Sequence, residues 1–330
     1  MTISRRAPTA LLVSALVMLL GVMLSTAVGA VHVPLPRVAA VLFGGGSPVE
    51  RSIVIDLRLP RVLLASLAGG ALALSGAVFQ ALLRNPLADP YVLGISSGAA
   101  LGAVISMVLT NGSSVLVPVA ALIGAVLTIF VVFTVAVRAS QRLDARVLLL
   151  AGVIISAFLQ AVVFLLLTLL NAESFRSAIF WMLGSFAAAN WRSVSLLAAY
   201  VIPASIVLVG LARALNVLMT GEETALYLGV RVETVTRWGY FIASVLVGAS
   251  VAACGVVGFV GLVVPHAVRL AFGNDYRIVL PCSLLVGATF LTLSDTIART
   301  VAAPVELPVG VVTALIGVPI FMLLLVRRRA

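Results

Sequence analysis

Residues 58 to 103 read RLPRVLLASLAGGALALSGAVFQALLRNPLADPYVLGISSGAALGA, and this stretch decides the fold class. Two arginines open it, and an apolar run follows from Val62 to Leu83. As a helix rising about 1.5 Å per residue, the run is roughly 33 Å long, enough to cross the hydrocarbon core of a bilayer. A polar segment with two prolines, from Arg84 to Pro90, then interrupts the apolar sequence. The pattern predicts a membrane-spanning helix with charge at one end and a proline loop at the other.

One face of this predicted helix carries only small side chains. Alanine or glycine recurs at every fourth position, at Ala65, Gly69, Ala73, Ala77 and Ala81. In lipid, such faces pack closely against other helices, because contact between backbones replaces the missing hydrophobic driving force. The helix is therefore expected inside a tightly packed bundle. Its partners are either other helices of the same chain or a second copy of it.

The composition places the whole chain in a membrane. Hydrophobic residues make up 62% and charged residues 10% of the 330 residues, and the mean hydropathy is +1.25, which excludes a soluble globular protein. We predict an all-α, polytopic membrane protein that forms a single domain over residues 1–330. Apolar runs predict about ten spans, at 8–30, 62–83, 92–110, 115–137, 147–170, 192–212, 236–256, 258–272, 278–298 and 308–326. The run at 258–272 is short and contains Gly258, Gly261 and Pro265, so nine spans are the alternative.

The basic residues indicate the orientation. The net charge is +10, and all 21 basic residues are arginines. They lie at the ends of apolar runs, where the positive-inside rule explains them, and this excludes nucleic-acid binding as their purpose. With the N- and C-termini in the cytoplasm, about twice as many arginines lie inside as outside. This topology places the Arg84–Pro90 loop on the cytoplasmic face and Arg58 and Arg61 on the outer face.

Lysine is absent from the chain, and this limits its chemistry. A GxxxxGK[ST] phosphate loop needs its lysine, so any ATP-driven activity requires a separate chain that carries ATP and Mg²⁺. Acids, bases and metal ligands do not cluster, so we predict no catalytic residue, no metal site and no enzyme activity. The acidic residues lie near the ends of the spans, which weighs against an ion-coupled secondary carrier, the alternative kept here. A weak repeat of Ala65-Ser66 and Gly70-Ala71 at Ala243-Ser244 and Gly248-Ala249 is compatible with an inverted repeat or with chance.

The segment 215–237 is the longest non-spanning piece on the cytoplasmic face. Thr220 and Glu223 fit a capping box, and Gly229 suits the left-handed end of a short helix. The helix would carry Ala225, Leu226 and Leu228 among its charges. Either it lies on the lipid surface, or it is a docking site for a cytoplasmic partner.

Three arginines are expected at the outer ends of spans: Arg58, Arg61 and Arg299. Arginines at such positions commonly anchor a helix to lipid headgroups. Three together could instead bind carboxylates of a docking protein through bidentate bonds. Asp295 lies four residues before Arg299, so a pair within one helix could occupy that arginine.

The order of several long motifs resembles one known family. The motifs are RLPR (58–61), SGAVFQALLRNPLADPYVLGISSGAALG (75–102), WMLGSF (181–186), LNVLMTGEETALYLGV (215–230), GFVGLVVPHAVR (258–269) and ELPVGVVTALIGVPIF (306–321). The chain from about residue 50 to 326 resembles the FecCD/BtuC-type permease subunits of ABC importers for iron–siderophore chelates, haem and vitamin B12. The resemblance implies the type II importer architecture and location in a prokaryotic inner membrane.

The resemblance also implies partners and site residues. A second permease copy, two ATP-binding cassette subunits and a substrate-binding protein are expected. The implied site residues are Gly221, Glu222, Glu223, Ala225, Leu226 and Gly229 for coupling to the ATPase; Arg58, Arg61 and Arg299 for docking of the binding protein; Asn85, Pro86, Leu87 and Leu143 for the cytoplasmic gate; and Arg176 for the substrate pathway, where an interfacial anchor is the alternative. The resemblance does not select among chelate, haem and corrinoid as cargo.

Overall fold

The computed structural model describes residues 6–29, 31, 33–110, 116–140 and 144–327, and its regular elements in that part of the chain are helices. The α-helices are α1 (Arg6–Ala27), α2 (Leu35–Leu42), α3 (Pro48–Arg51), α4 (Leu59–Leu82), α5 (Ile95–Leu109), α6 (Val117–Ser140), α7 (Ala145–Leu167), α8 (Ala172–Met182), α9 (Trp191–Gly210), α10 (Ala212–Leu218), α11 (Glu222–Tyr227), α12 (Val232–Cys254), α13 (Val260–Phe272), α14 (Tyr276–Thr300) and α15 (Val309–Arg327).

The predicted spans correspond one by one to apolar helices. Seven helices among the described residues are long and apolar enough to cross a membrane, and α5, α13 and α15 are shorter apolar helices. The uncertain run at 258–272 forms α13, which has 13 residues and is therefore only about 20 Å long. A bilayer core is about 30 Å thick, so α13 reaches only part of the way across. The prediction of an all-helical membrane fold is confirmed.

The second span begins earlier than the sequence predicted. Helix α3, a π-helical turn (Ser52–Arg58) and α4 follow one another without a break from Pro48 to Leu82. The start is fixed by a capping box, in which the Glu50 amide donates to Ser47 Oγ at 3.2 Å and the Ser47 amide donates to Glu50 Oε2 at 2.8 Å. Because of this extension, Arg58 lies inside a helix rather than at its mouth.

Helix α4 lies at the centre of the bundle, where it packs against α14, α12 and α13. Gly76 faces the backbone of Gly261 on α13, and Gly69 faces that of Gly287 on α14. A Cβ at Gly76 would lie 2.5 Å from the Gly261 carbonyl carbon and 2.6 Å from its Cα, so neither helix has room for a side chain. The small-residue face of α4 therefore joins helices of the same chain.

Three expectations about helix ends and repeats have different outcomes. The predicted Thr220 capping box is wrong, because the Thr220 hydroxyl donates to the Val217 carbonyl at 2.7 Å and Gly221 holds the N-cap position of α11. Gly229 has φ +79°, so its predicted left-handed conformation is confirmed. The inverted repeat stays a prediction; α4 and α12, the helices that carry it, pack against each other.

Candidate functional site

Charged residues gather at both ends of α4. The helix has 24 residues and is therefore about 36 Å long. At its N-terminal end lie Arg58, Arg61, Arg299, Asp295 and Glu306, which we call the arginine mouth. At its C-terminal end lie the 84–90 loop and α11, which we call the loop end. The two clusters are therefore separated by about the thickness of a bilayer.

Arg61 is the centre of the arginine mouth. Its Nε donates to Asp295 Oδ2 and its Nη2 to Asp295 Oδ1, both at 2.9 Å. Its Nη1 donates to Glu306 Oε1 at 2.9 Å and to Oε2 at 3.0 Å. Bidentate pairs of this kind are among the stronger hydrogen bonds in proteins. The Asp295 carboxylate is buried, whereas the Glu306 side chain is half-exposed at the rim.

Arg58 is 6% exposed and acts inside the fold. Its Nη1 donates to the carbonyls of Thr26 at 3.1 Å and Ala27 at 2.9 Å, and its Nη2 donates to the carbonyl of Val31. The last carbonyls of a helix lack partners within that helix, so Arg58 satisfies the C-terminal end of α1. Contact with a docking protein would require these bonds to be exchanged.

Arg299 is also buried. Its Nη2 donates to the Ser25 carbonyl and to Thr296 Oγ1 at 3.3 Å. The pair with Asp295 that its spacing suggested is present but loose, with 3.9 Å between Arg299 Nε and Asp295 Oδ2. The structure thus brings the three expected docking arginines into one cluster, with two of them inside the fold.

At the loop end, α4 stops in an unusual way. The Asn85 amide donates to the Gln80 carbonyl at 3.1 Å, and Arg84 adopts a left-handed conformation with φ +47°. Glycine is the common residue at this position of a helix C-terminus. Asn85 Oδ1 accepts from the Leu87 amide at 2.9 Å, so the loop has a defined shape. Asn85 and Leu87 are exposed and Pro86 is half-buried.

Helix α11 lies beside this loop. Glu222 Oε1 accepts from Arg84 Nη2 at 2.9 Å, which joins the first turn of α11 to the end of α4. Ala225 is buried and anchors α11, which packs on α10 and α12. Leu226, Tyr227 and Leu228 are exposed, as are Glu222 and Glu223. Sequence reasoning overlooked Tyr227, although three consecutive large apolar residues in a polar segment were a usable signal.

The second predicted gate segment is only partly described. Leu143 lies outside the described residues, whereas its neighbour Asp144 caps α7 by accepting from the Arg146 amide at 2.7 Å. The hydroxyl of Tyr240, a buried residue of α12, is within electrostatic range of Asp144, Arg84 and Glu222. The neighbours of both predicted gate segments and α11 therefore lie at the same end of the bundle.

A cavity of about 300 Å³ lies at the same end. Its lining includes Gln80, Arg84, Asn216, Arg269 and Tyr276. Asp275, next to it, caps α14, and hydrogen bonds from the Arg277 guanidinium lower the pKa of Asp275 to about 2. Asn216 Nδ2 also donates to Asp275 Oδ1 at 2.7 Å. These bonds fix the start of α14 against α10.

Arg176, the residue that the resemblance implied for the substrate pathway, lies on a helix. It is exposed on α8, a helix that sequence reasoning missed, and its guanidinium carbon lies 5.6 Å from the centre of the Phe180 ring. This distance is within the range of a cation–π contact. A role in the substrate pathway stays a prediction.

Comparisons with known proteins agree with this architecture. The model of the FecCD transport family matches residues 16–327. The chain is 43% identical to the cobalamin import system permease protein BtuC of Halobacterium salinarum, with 87% of this chain and 77% of that protein covered. It is 42% identical to the hemin transport system permease protein HmuU of Yersinia pestis, with 84% of each covered.

A solved structure gives the same result. A chain of an inward-facing ABC transporter has a TM-score of 0.88 to this structure, with 32% identity and coverage of 97% of this chain and 99% of that one. The chain is also 40% identical to an uncharacterized ABC transporter permease, YvrB of Bacillus subtilis, with 93% and 90% covered. The resemblance inferred from the motifs is confirmed: this chain belongs to the FecCD transport family and is a permease of the ABC-transporter class.

Proposed function

We propose that the chain is the membrane subunit of an ATP-driven importer in a prokaryotic cytoplasmic membrane. The cargo is a metal-centred chelate such as an iron–siderophore complex, haem or a cobalamin, because relatives are named for cobalamin and hemin. Two permease copies, two ATP-binding subunits with ATP and Mg²⁺, and a substrate-binding protein complete the transporter. ATP binding closes the ATP-binding subunits, α11 moves with them, and the 84–90 loop opens or closes the path.

The exposed cluster on α11 is the observation that carries this proposal. Tyr227 is 91% exposed and lies between exposed Leu226 and Leu228. An apolar patch on a short helix suits either lipid or a protein. Glu222 and Glu223 share the first turn, and the anionic lipids of a cytoplasmic leaflet would repel them. A protein partner therefore fits α11 better than a lipid surface does.

Removal of this cluster tests the coupling assignment. The double variant Leu226→Ala and Tyr227→Ala should bind the ATP-binding subunits about tenfold more weakly or worse, because exposed aromatic anchors contribute heavily at interfaces. Charge reversal of Glu222 and Glu223 to arginine should also reduce association. Co-purification and titration of the detergent-solubilised subunits measure both effects.

A matched control removes an equally exposed aromatic residue elsewhere. Phe43 is 92% exposed and follows α2, far from α11 in the fold, so Phe43→Ala should leave association unchanged. Wild-type affinity in the α11 double variant would refute the assignment of α11 to the ATP-binding subunit.

For the outer partner, we propose that Arg61 receives a carboxylate of the substrate-binding protein. Arg58 and Arg299 lie behind it and supply positive charge without direct contact. Glu306 occupies Arg61 in the free permease and competes with the partner. When a carboxylate of the binding protein replaces that of Glu306, the hydrogen bonds of Arg61 to Asp295 stay intact.

Removal of the competitor should therefore strengthen docking. Glu306→Gln is expected to tighten capture of the cognate binding protein about two- to fivefold at low salt, because Arg61 loses an internal ion pair. The gain should shrink at high salt, where screening is stronger. Glu173→Gln removes another exposed carboxylate, on α8, and is the control. Equal capture by the Glu306 variant and the wild type in a surface-binding assay would show that Glu306 does not compete.

The cargo and the energy source need separate experiments. Binding of ferric siderophores, haemin and cyanocobalamin to the cognate binding protein would select among the cargoes. The alternative of an ion-coupled carrier requires uptake by this chain alone in proteoliposomes under a proton or sodium gradient. Family membership favours the ATP-driven importer.

A further inference from the structure

The loop end contains an arginine where the backbone favours glycine. Arg84 is one of two non-glycine residues with positive φ among the described residues. A left-handed conformation costs an ordinary residue about 1 to 2 kcal/mol, and glycine adopts it freely. Such strain, observed at a site, indicates that the side chain has a use there. The use of Arg84 is therefore expected to lie in the contact that its side chain makes.

The ion pair of Arg84 with Glu222 connects helix α11 to the loop 85–87. Helix α11 packs on α10 and α12, and the loop 85–87 continues from the end of α4. The Arg84–Glu222 ion pair, at 2.9 Å, reaches from one to the other. The side chains of Arg84 and Glu222 are 38% and 66% exposed, and pairs that water reaches in this way add little to the stability of a fold. Stability alone does not account for a strained arginine at this position.

We propose that the Arg84–Glu222 pair transmits displacement of α11 to the Asn85–Leu87 loop, so that Arg84 is a positioning residue for the cytoplasmic gate. The inference rests on the proposed function, in which α11 contacts the ATP-binding subunit. A movement of α11 changes the position of Glu222, and the salt bridge then favours one arrangement of the loop over the other. The pair needs only a small energy to do this, because a difference of 1.4 kcal/mol shifts an equilibrium about tenfold.

The position of the pair supports this role. Tyr240 packs against Phe79 of α4 with ring centres 5.8 Å apart and against Phe133 of α6 at 6.2 Å. These rings join α4, α6 and α12. The Tyr240 hydroxyl is within electrostatic range of Arg84, Glu222 and Asp144. The pair therefore joins α11 to the end of α4 beside a packed part of the bundle.

The test measures movement of the loop in the assembled transporter. Cysteine replaces Leu87, which is exposed, and the native Cys254 and Cys282 are buried, so a maleimide reagent labels the new thiol. The permease with its ATP-binding subunits is placed in nanodiscs, and the labelling rate is compared with and without Mg²⁺ and a non-hydrolysable ATP analogue. ATP-dependent labelling should be lost or reduced about two- to fivefold in Arg84→Glu and in Glu222→Arg. The double exchange of both charges should restore it.

Two further variants separate a positioning role from a structural one. Arg84→Gly relieves the strained backbone and should fold at least as well, yet it should lose the ATP-dependent change. Arg37→Glu breaks the exposed Arg37–Glu50 pair near the opposite end of the molecule and should behave as the wild type does. Normal ATP-dependent labelling in Arg84→Gly would overturn the proposal. So would a failure of the double exchange to restore labelling while it still binds the ATP-binding subunits, because Glu222→Arg alone also weakens that association.

Association with the ATP-binding subunits is measured for every variant. Arg84→Glu and Arg84→Gly should retain them, so a loss of gating with intact association supports the link. If the parent protein itself binds no ATP-binding subunit or shows no ATP-dependent labelling, the proposed function fails and the link fails with it. If the parent responds and the Arg84 variants respond equally, only the link fails.

Discussion

Replacement of Asp295 with alanine is expected to lower the free energy of unfolding by about 3 to 5 kcal/mol. Asp295 is 1% exposed, and its carboxylate accepts two hydrogen bonds from Arg61, each at 2.9 Å. A second cation is close, because Arg299 Nε lies 3.9 Å from Asp295 Oδ2. Without Asp295, the three arginines of the mouth would share Glu306 as their acidic partner. A buried cation that loses its counter-charge is strongly destabilising, because water cannot replace the lost interaction.

The variant Asp295→Asn shows how much of the lost stability is due to the charge of Asp295 and how much to its shape. The asparagine keeps the volume and one acceptor, so a loss nearly as large as that of alanine would identify the charge as the cause. Unfolding of the purified permease in mixed micelles gives the free energy. Glu233→Ala breaks the exposed pair with Arg237, at 2.6 Å on α12, and should change stability by less than about 1 kcal/mol. A loss for Asp295→Ala no larger than that of the control would contradict this interpretation of the mouth.

Hydropathy predicted the spans of this fold but not its short elements. Each of the ten predicted runs forms an apolar helix, because the cost of placing polar groups in lipid is large and is summed over many residues. Helices α2, α8 and α10 lack that signal, since they are short or partly polar. The early start of the second span at Pro48 could have been predicted from Ser47 and Glu50, which form a capping box. The apolar pattern gave no indication of it, because that pattern begins only at Val62.

The sequence located the charged groups correctly but not their partners. The positive-inside pattern grouped Arg58, Arg61 and Arg299 at one end, and they do lie together. Asp295 was expected to pair with Arg299 in its own helix. It pairs more closely with Arg61, 234 positions away, because the register of α4 against α14 brings these two side chains together. Such long-range register depends on packing, which a single sequence does not display.

At the loop end, the sequence correctly placed two segments at the same end of the bundle but wrongly predicted a helix cap. The topology predicted from the arginines placed the 84–90 loop and the segment of α11 on the same face of the membrane, and Arg84 and Glu222 are in contact. The capping box expected at Thr220 failed because α10 continues through Leu218, so the Thr220 hydroxyl bonds back to the turn before it. Thr220 can either end α10 or cap α11. The sequence allows both roles, and the three-dimensional structure shows the first.

Gly76→Ala is expected to destabilise the permease by about 3 kcal/mol, at the upper end of the usual cost of overpacking. Most core substitutions push against side chains that can rotate away. Here the new methyl group would meet backbone, with the Gly261 carbonyl carbon at 2.5 Å and its Cα at 2.6 Å. The two helices can relieve the overlap only by moving apart, and α13 is also packed against α14 and α15. The cost is therefore spread over several interfaces at once.

Gly210→Ala provides the matched control for this prediction. Gly210 is the last residue of α9, and a Cβ there would have no atom within 4 Å, so alanine should be neutral or slightly stabilising. Thermal unfolding of both variants in the same detergent gives the comparison. If Gly76→Ala unfolds at the same temperature as Gly210→Ala, then α4 and α13 are not in backbone contact. In that case Gly76 and the adjoining part of α4 would be free for another partner, whereas Gly69 would still pack against Gly287 of α14.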